Sequence, residues 1–522
     1  MIDNIYKGSE ARDKIIKGIQ RCGEIVGGTM GSAGHNAILE TFEMPNHLVT
    51  NDGATILESI HFADPLEEMG RRILLEAVKR ANKASGDGSS TTCVLTAKIL
   101  QEGIKHLGEV SPMEIKKSLE ECVPLIEESI NKQKREITVD EVASVATISA
   151  EDESIGKMIQ EIYQQIGKSG IIHWDISKTF SDHYTIGKGI TVDGAGFASQ
   201  YMADMDEKTG QFQSLARWTN PKILIVKQKI SSAADFNELF GALFAKEVKE
   251  IVIFCDEYEA TVIPDLILTR AKRGFKTLLV KMPVLWKDWW YEDLAKATGA
   301  TIIDPHAGLS FKTMKLEHLG TCENIIVDKE NTYLDGIKDV SEHIKALEDI
   351  ATEDSLLRAS RLNTKTARYF VGAASDSALA YRRLKIEDSI SASWQALQNG
   401  VVAGGGVTLL EISEKFHQRK NVGESVLNIA LRAPFEQIVS NAGIKHAWDE
   451  PFDGLGYDTR TKQRVDMFEA GIIDPSQVVI NAVRNAISVA ASVLTCDSIV
   501  LLPRPDTADQ ILQAIMSKNM PR

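Results

Sequence analysis

The chain has 522 residues, of which 43% are hydrophobic and 25% are charged, as is usual for globular proteins. This length is too great for one hydrophobic core and predicts roughly two to four domains. The net charge of −14 disfavours nucleic acid as the main partner, because contacts to phosphates require a basic surface.

The cysteines indicate a reducing, cytosol-like compartment. The six cysteines lie far apart and form no CxxC pair, so we expect them to be buried and reduced. Residues 1–7 lack the basic-then-apolar pattern of a secretory signal. The apolar stretch 486–502 is interrupted by Asp497, and we expect it to be too short and too polar to span a bilayer.

The first quarter of the chain, residues 5–134, is predicted to be mostly helical. Asp64-Pro65 is a helix start, since Asp is a common N-cap and proline is favoured at the first helical position. Apolar residues then recur at helical spacing as far as Gly86. A short extended stretch, residues 47–50, precedes a predicted turn at residues 51–53.

A small hydroxyl-rich loop, Gly-Asp-Gly-Ser-Ser-Thr-Thr at residues 86–92, follows that long helix. Glycines allow a backbone to approach a ligand closely, and the free N–H groups of a helix start bind phosphate. An aspartate in such a loop would repel phosphate unless a cation lay between them, so the pattern favours a nucleotide site in which Asp87 holds Mg²⁺. The alternative is an ordinary turn in which a serine or threonine caps the following helix.

The middle of the chain, residues 186–366, alternates short apolar runs with helical patterns. This alternation predicts buried strands in an α/β domain inserted into the surrounding helical one. The aromatic cluster Trp286, Trp289, Trp290 and Tyr291 is predicted to be a packed loop corner. Helical patterns return near Tyr369 and continue to the end.

Several other glycine-rich or acidic segments lie outside this first loop. Singly, each is more often a cap or a turn. They are the glycine-rich residues 29–34, the turn carrying Asp52, Asp388 at a predicted helix start, Gly404-Gly405-Gly406, and Asp474 on a predicted turn. Gly167-Lys168-Ser169 looks like the end of a P-loop, but the glycine required upstream is Ile162, so we predict a turn there.

Taken together in chain order, these segments resemble the group I chaperonins, of which GroEL is the type. Six motifs carry the resemblance, in the order and near the spacing of that family: residues 86–92, 145–150, 167–172, 386–388, 400–407 and 471–475. The resemblance covers nearly the whole chain. It implies a multidomain α and α/β fold with a helical equatorial ATPase domain, a small intermediate hinge domain and an inserted α/β apical domain.

The resemblance also implies domain boundaries and partners. The equatorial domain would comprise residues 1–133 and 399–522, the intermediate domain 134–187 and 367–398, and the apical domain 188–366. Subunits of the family form seven-membered rings that capture non-native proteins and enclose them in response to ATP, in some cases with a lid co-chaperonin. A cytoplasmic location follows, or the host cytoplasm for a viral member, with no nucleic acid or membrane as partner.

The same resemblance assigns roles to residues of the nucleotide site. It implies that Asp87 ligates Mg²⁺, that Asp388 positions the attacking water, and that Asp52 is a second acid near the γ-phosphate. It also implies a potassium ion at Thr29, Asn51 and Ser90. The residues that match ATP contacts are Thr29, Met30, Gly31, Asn51, Asp87, Gly88, Ser89, Ser90, Thr91, Gly405, Asp458 and Asp474.

Capture of client proteins is implied for apolar residues of the apical domain, each of which could instead belong to the core. The candidates are Phe197, Tyr201, Met202, Leu239, Phe240, Leu243, Ile263, Ile267 and Leu268.

The chain departs from the family at several positions. Ser32-Ala33 stands for Pro-Lys in the first loop, Asn51 for Lys, and Asp458 for Asn near the base. Residues 282–286 replace a Pro-Gly-Phe-Gly turn, and the segment 443–456, in a region that carries ring-to-ring contacts in the family, is short. These departures predict a divergent, viral or distant member and leave open a nucleotide-gated ring that holds clients without refolding them. A third hypothesis is a metabolic kinase that uses the same glycine-rich loop.

Overall fold

The structure, a computed structural model, describes residues 5–40, 47–177, 179–205, 212, 215–283, 287–363, 365–418, 420–445 and 455–501. The chain divides into two compact units. Unit 1 is drawn from both ends of the chain, Met1–Glu161 and Val371–Arg522, and unit 2 is Ile162–Phe370. The five-segment division expected from the resemblance stays a prediction.

The α-helices of the described residues are α1 Ser9–Gly27, α2 Gly53–Ser59, α3 Pro65–Ser85, α4 Ser89–Gly103, α5 Pro112–Gln133, α6 Val142–Ala150, α7 Glu153–Ile166, α8 Asn237–Phe244, α9 Val262–Arg273, α10 Lys287–Thr298, α11 Ser341–Ile350, α12 Glu353–Leu362, α13 Asp376–Asn399, α14 Val407–Lys415, α15 Val422–Ala430, α16 Ala433–Asn441 and α17 Ser476–Leu494.

The strands of the described residues are β1 Ile5–Lys7, β2 Ala37–Glu40, β3 His47–Thr50, β4 Ile171–Ile176, β5 His183–Asp193, β6 Ala216–Thr219, β7 Lys222–Val226, β8 Glu250–Cys255, β9 Lys276–Lys281, β10 Ile302–Ile303, β11 Gly320–Thr321, β12 Asn324–Val327, β13 Asn331–Asp335, β14 Lys365–Val371, β15 Val401–Ala403, β16 Leu455–Asp458, β17 Gln463–Asp466, β18 Ile473–Pro475 and β19 Ser498–Val500.

Unit 1 is built on a helical core in which α1, α3, α4, α5 and α17 pack against one another. The start of α3 is the one expected from sequence: the Asp64 carboxylate accepts hydrogen bonds from the backbone N–H groups of Leu66 and Glu67, and Pro65 is the first helical residue. The helix ends at Gly86, whose φ of 70° is left-handed and favours glycine. Local sequence signals therefore determine both ends of the helix that leads into the glycine-rich loop.

Helices α1 and α3 approach each other closely at two glycines. A Cβ atom on Gly18 would overlap the backbone oxygen of Glu67, and one on Gly70 would overlap the backbone oxygen of Ile15. Because the obstacles are backbone atoms, no side-chain rotation can relieve the overlap.

We expect Gly18→Ala to destabilise unit 1 by about 1–3 kcal/mol, because overpacking outweighs the helix propensity that alanine gains, about 0.5–1 kcal/mol. Urea unfolding followed by circular dichroism measures the change. The matched control is Gly241→Ala in α8, where a Cβ meets nothing within 4 Å. That variant should be neutral or slightly stabilising, and equal losses in both variants would contradict the packing argument.

The remaining strands of unit 1 form small two-stranded antiparallel sheets: β1 with β19, β2 with β3, β15 with β18, and β16 with β17. The predicted extended stretch at residues 47–50 is β3. Pairing of β15 with β18 places Val402 opposite Asp474. This pairing brings β15 and β18, which are distant along the chain, together near the glycine-rich loop at residues 86–92.

Helix α17 is the one helix in the described part of the chain that is long and apolar enough, by length and composition, to cross a membrane. Its mean hydropathy is 1.4, and 67% of the apolar window is buried inside the protein. A core helix of a folded domain has these properties as well. Burial against α4 and α5 accounts for the apolar composition.

Unit 2 contains the predicted α/β alternation. Strands β10, β7, β8 and β9 lie side by side and parallel, with β11 added antiparallel to β7. Parallel neighbours require crossover connections, which α8, α9 and α10 supply. Strands β7, β8 and β9 are almost wholly buried, as their continuous apolar runs predict.

A second sheet of six strands, in the order β4-β14-β5-β13-β12-β6, completes unit 2. Its long strand β5 pairs antiparallel with β14 through its first half and with β13 through its second half. Tyr369 lies in β14, so the helical pattern expected from Tyr369 onward begins only at Asp376, and that boundary was predicted wrongly. The apolar alternation near Tyr369 fits a half-buried strand better than a helix.

The tryptophan-rich cluster is a helix and not a loop corner. Trp289, Trp290 and Tyr291 lie in α10, with Trp290 and Tyr291 buried in the core of unit 2. Aromatic residues at adjacent positions hid the helical period from the sequence. Trp286 lies outside the described residues, as do residues 446–454 of the short segment noted above.

Candidate functional site: a cavity beside a cluster of acids

The glycine-rich loop is a turn that presents the start of helix α4. Gly88 is the N-cap residue with a left-handed φ of 94°, and no side chain caps the helix. The alternative of a serine or threonine cap is therefore wrong: Ser89 donates to Asp52 Oδ1 at 3.3 Å, and Thr92 donates to the carbonyl of Gly88 at 2.9 Å. The first N–H groups of α4 remain available to an anion.

Asp87 lies in this loop beside the helix start. Its Oδ1 accepts from the N–H of Gly88 at 2.5 Å, and its Oδ2 accepts from the hydroxyl of Ser149 at 3.4 Å. Burial raises the pKa of Asp87, and the charge of Asp52 raises it further, although the Gly88 hydrogen bond and the charge of Lys385 act against the shift.

Asp388 lies in the middle of α13 and not at a helix start as predicted. Helix α13 is held against the loop region at two points. Ser389 donates to the carbonyl of Ala146 at 2.8 Å, and a Cβ on Gly86 would overlap Ser391, so only glycine permits this approach. Burial and then the charge of Asp87 raise the pKa of Asp388 well above its ordinary value.

Asp52 and Asp474 complete a set of four acids in this part of unit 1. Asp52 is the N-cap of α2, where its carboxylate accepts from the N–H groups of Ala54 and Thr55. Asp474 lies in strand β18 and not on the predicted turn. Burial, followed by the charge of Asp87, raises the pKa of Asp474 to about 7. The acids thus repel one another in a poorly solvated place, a situation that a bound cation relieves.

A cavity of about 120 Å³ lies against this group. The polar groups of its lining include those of Asp87, Gly88, Thr91 and Asp474, and most of the remaining lining residues are apolar. The cavity is lined by Met30, Asp87, Gly88, Thr91, Ala403, Gly406, Thr408, Leu409, Pro434, Ile438, Asp474, Pro475, Val478, Val479 and Ala482. A mostly apolar cavity that includes the start of α4 in its lining suits a nucleoside with its phosphates toward α4.

The first predicted phosphate loop follows α1. Gly31 has a left-handed φ of 77°, and the hydroxyl of Thr29 donates to the carbonyl of Val26 at 2.7 Å. Asn441 donates its amide to the carbonyls of Gly27 and Met30, both at 2.9 Å, and so fixes the loop. Sequence reasoning missed Asn441, since nothing in its local pattern distinguishes it from any other asparagine near a helix end.

Among the predicted potassium ligands, Asn51 is the residue whose side-chain oxygen is placed to fit a cation. Its Oδ1 is buried without a hydrogen-bond partner among the described residues, while its amide donates to Glu151 at 2.8 Å. The hydroxyl of Thr29 is already engaged in the turn after α1. Ser90 lies in the first turn of α4, and its hydroxyl is close to Gly53. A Cβ atom added to Gly53 would lie only 2.9 Å from Ser90 Oγ.

Seven of the twelve predicted nucleotide contacts do not line the cavity: Thr29, Gly31, Asn51, Ser89, Ser90, Gly405 and Asp458. Asp458 lies in strand β16, at the turn into β17, where its carboxylate accepts from the N–H of Arg460 and the hydroxyl of Thr461. Gly405 faces the Met467 side chain, and the glycine in the cavity wall is its neighbour Gly406. The hydrogen bonds of the Asp458 carboxylate are thus made within its own turn.

The predicted client-binding residues of unit 2 differ in exposure. Met202, Leu239 and Leu243 are buried, and Phe197 is nearly so, because they pack into the core of the parallel sheet. Tyr201 is 61% exposed and Leu268 is 48% exposed. The partly buried candidates, which pack against the same core, are Phe240, Ile263 and Ile267.

Unit 2 also holds a group with the ligand types of a metal site, Glu292, Asp293 and His343. Tertiary contact brings them together, which the spacing of histidines along the chain could not show. Arg358 donates to Asp293 at 2.6 Å and to Glu292 at 2.8 Å, so a cation already lies among them. The group is an ion-pair cluster that fastens α10 to α11 and α12.

This arrangement, a helical unit with a cavity beside a cluster of acids and an α/β unit inserted in its chain, defines a multidomain protein with a candidate nucleotide site. The sequence model of the TCP-1/cpn60 chaperonin family matches residues 23–503, and the chain belongs to that family. The predicted family and the GroEL-like multidomain fold are confirmed.

Among solved structures, the chain is similar to the chaperonin gp146 from the bacteriophage EL 2 (Pseudomonas aeruginosa), crystallised in the presence of ATP-BeFx. For crystal form II the sequence identity is 17%, the match covers 96% of this chain and 99% of gp146, and the TM-score is 0.69. For crystal form I the identity and coverage are the same and the TM-score is 0.65. At this identity the similarity shows the fold.

Proposed function

We propose that this protein is an ATP-driven chaperonin, which binds non-native proteins in a ring cavity and promotes their folding through ATP binding and hydrolysis. The observation that carries the proposal is the cluster of Asp52, Asp87 and Asp388 beside the uncapped start of α4. Membership of the chaperonin family and the ATP-BeFx named for gp146 support the same function.

The acids fit Mg²⁺ as the cofactor, because carboxylate oxygens are ligands that this ion prefers and a bound cation relieves the repulsion that raises their pKa values. Asp87 would hold the ion, with Asp52 close by. When bound, Mg²⁺ supplies charge neutralisation for the phosphates of ATP. Asn51, through its unpartnered Oδ1, would hold K⁺ together with Thr29 and Ser90.

The residues of the chain divide the work of phosphoryl transfer to water. The N–H groups of α4 and the hydroxyls of Ser89, Ser90 and Thr91 bind and orient the phosphates. Asp388 orients the attacking water and accepts its proton, a task that the raised pKa of its carboxylate favours. The apolar walls of the cavity exclude bulk water from the nucleoside.

Clients bind to exposed apolar side chains of unit 2. Among the predicted client-binding residues, Tyr201 and Leu268 are the exposed ones, and the partly buried Phe240, Ile263 and Ile267 would add to the binding surface. Apolar groups that remain in contact with water gain free energy when they bury the apolar segments of an unfolded chain.

The proposal includes a homo-oligomeric ring, heptameric in the family, in the cytoplasm or the host cytoplasm. Refolding of a denatured client, measured with and without ATP, tests it together with negative-stain imaging of the protein. Rings that raise the refolding yield only with ATP support the proposal. Rings that retain the client at the same level with and without ATP support a holding ring instead, and a monomer without ATPase activity contradicts both.

A further inference from the structure

Helix α6 ends in a backbone conformation that its sequence does not favour. Glu151, the C-cap residue, has φ 57° and ψ 20°, which is left-handed. Glycine or asparagine is usual at such a position, since a Cβ atom makes it unfavourable for most other residues. Strained residues of this kind persist where the surrounding contacts hold them, and they cluster at functional sites.

The carboxylate of Glu151 joins two segments of the acidic site. Its Oε1 accepts a hydrogen bond from Asn51 Nδ2 at 2.8 Å and lies 3.0 Å from Lys385 Nζ. Asn51 immediately precedes Asp52, and Lys385 lies one turn before Asp388 on α13. A single oxygen atom therefore ties the turn that carries one acid to the helix that carries the other.

Lys385 is held firmly in this arrangement. Its side chain is 12% exposed, and its Nζ lies 5.8 Å from the ring centroid of Tyr381, one turn earlier on α13. The next residue after Glu151 repeats the connection, because Asp152 pairs with Arg382 at 3.3 Å. The positive charge of Lys385 acts on both Asp87 and Asp388, so its position affects the electrostatics of these two acids.

We propose that Glu151 is a positioning residue for nucleotide hydrolysis, which holds the Asp52 turn and the Asp388 helix in one geometry through Asn51 and Lys385. This inference rests on the proposed ATPase function. Glu151 acts through its neighbours and not on the substrate, so its loss should lower kcat and leave the KM for ATP nearly unchanged.

The test compares the wild-type protein with Glu151→Gly. Glycine removes the carboxylate and at the same time relieves the left-handed backbone, so the variant should keep or raise the thermal midpoint. We expect kcat for ATP to fall by at least about 10-fold while KM changes by less than about threefold, since small displacements of catalytic groups are costly. Glu151→Gln keeps an acceptor oxygen and should retain an intermediate kcat.

Ala351→Gly is the matched control. Ala351 is also a C-cap residue with a left-handed φ of 54°, at the end of α11 in unit 2. The substitution relieves the same backbone strain and should leave kcat unchanged. A second readout needs no nucleotide: amide hydrogen exchange at residues 51–54 and 384–388 should be faster in Glu151→Gly than in the wild type.

The possible outcomes separate the two proposals. A kcat within about twofold of the wild type in Glu151→Gly, with unchanged hydrogen exchange, overturns the role of Glu151 and leaves the ATPase intact. A parallel loss of kcat and thermal stability points to a purely structural residue and also overturns it. A wild-type protein that releases no phosphate from ATP overturns both proposals together.

Discussion

Asp388→Ala should lower the rate of ATP hydrolysis by about 10²–10⁴-fold, the usual contribution of a positioned general base. ATP binding should change little, because Asp388 lies on α13 and not in the lining of the cavity that we propose for the nucleotide. Phosphate release under saturating ATP measures the rate, and isothermal titration calorimetry measures the affinity.

The matched control for Asp388→Ala is Glu387→Ala, which removes a neighbouring acid that is exposed on the same helix. We expect its hydrolysis rate to stay within about twofold of the wild type, as for most surface substitutions. Turnover that survives the loss of Asp388 would remove this residue from the mechanism and leave nucleotide binding untouched.

In the absence of nucleotide, Asp388→Ala should be more stable than the wild type. Burial and like charges raise the pKa of Asp388 above its value in the unfolded chain, so the folded protein binds more protons at intermediate pH. The stability that the Asp388 carboxyl contributes is fully present below its unfolded-state pKa and is lost as the pH rises through its folded-state pKa. At pH values above the unfolded-state pKa the carboxyl group therefore costs folding stability, and alanine removes that cost.

Asp87→Asn should weaken Mg²⁺-dependent ATP binding by at least about 100-fold, because the substitution removes the charge of the acid proposed to hold Mg²⁺ and metal sites are sensitive even to indirect changes. The amide keeps the size of the side chain, so the loop geometry set by Gly86 and Gly88 should survive. Calorimetric titration with ATP in the presence and absence of Mg²⁺ measures the effect.

The control for Asp87→Asn is Asp13→Asn, which removes the same charge from an exposed position on α1. This variant should bind ATP as the wild type does. Equal affinities for Mg-ATP in Asp87→Asn and the wild type would show that the acid in the loop does not hold the metal ion.

The effects expected for Asp388 and Asp87 have one physical cause, the repulsion among buried acids, which lowers stability and favours cation binding. Three acids with raised pKa values, Asp87, Asp388 and Asp474, lie in a poorly solvated region with Lys385 as a nearby cation. Their repulsion destabilises the nucleotide-free protein and favours the state that holds a cation. A cluster of this kind is expected where binding, and not stability, has determined the choice of residues.

Local sequence signals were sufficient for the elements that depend on local chemistry. Asp64-Pro65 predicted the start of α3, and the structure has it. The glycines at residues 86–88 predicted a tight loop, and both have a left-handed φ. The continuous apolar runs predicted the buried strands β7, β8 and β9. These features depend on backbone dihedral angles and on burial of continuous apolar runs, which neighbouring residues determine.

Tertiary structure alone decided how the site is assembled. The sequence placed Asp388 at a helix start and Asp474 on a turn, whereas packing put the first within α13 and the second in a strand paired with β15. Asn441 and Glu151 carry no local signal, since Asn441 contacts a segment 414 residues away and Glu151 contacts one 100 residues away. Long-range contacts of this kind depend on how helices and strands pack, which short-range spacing does not encode.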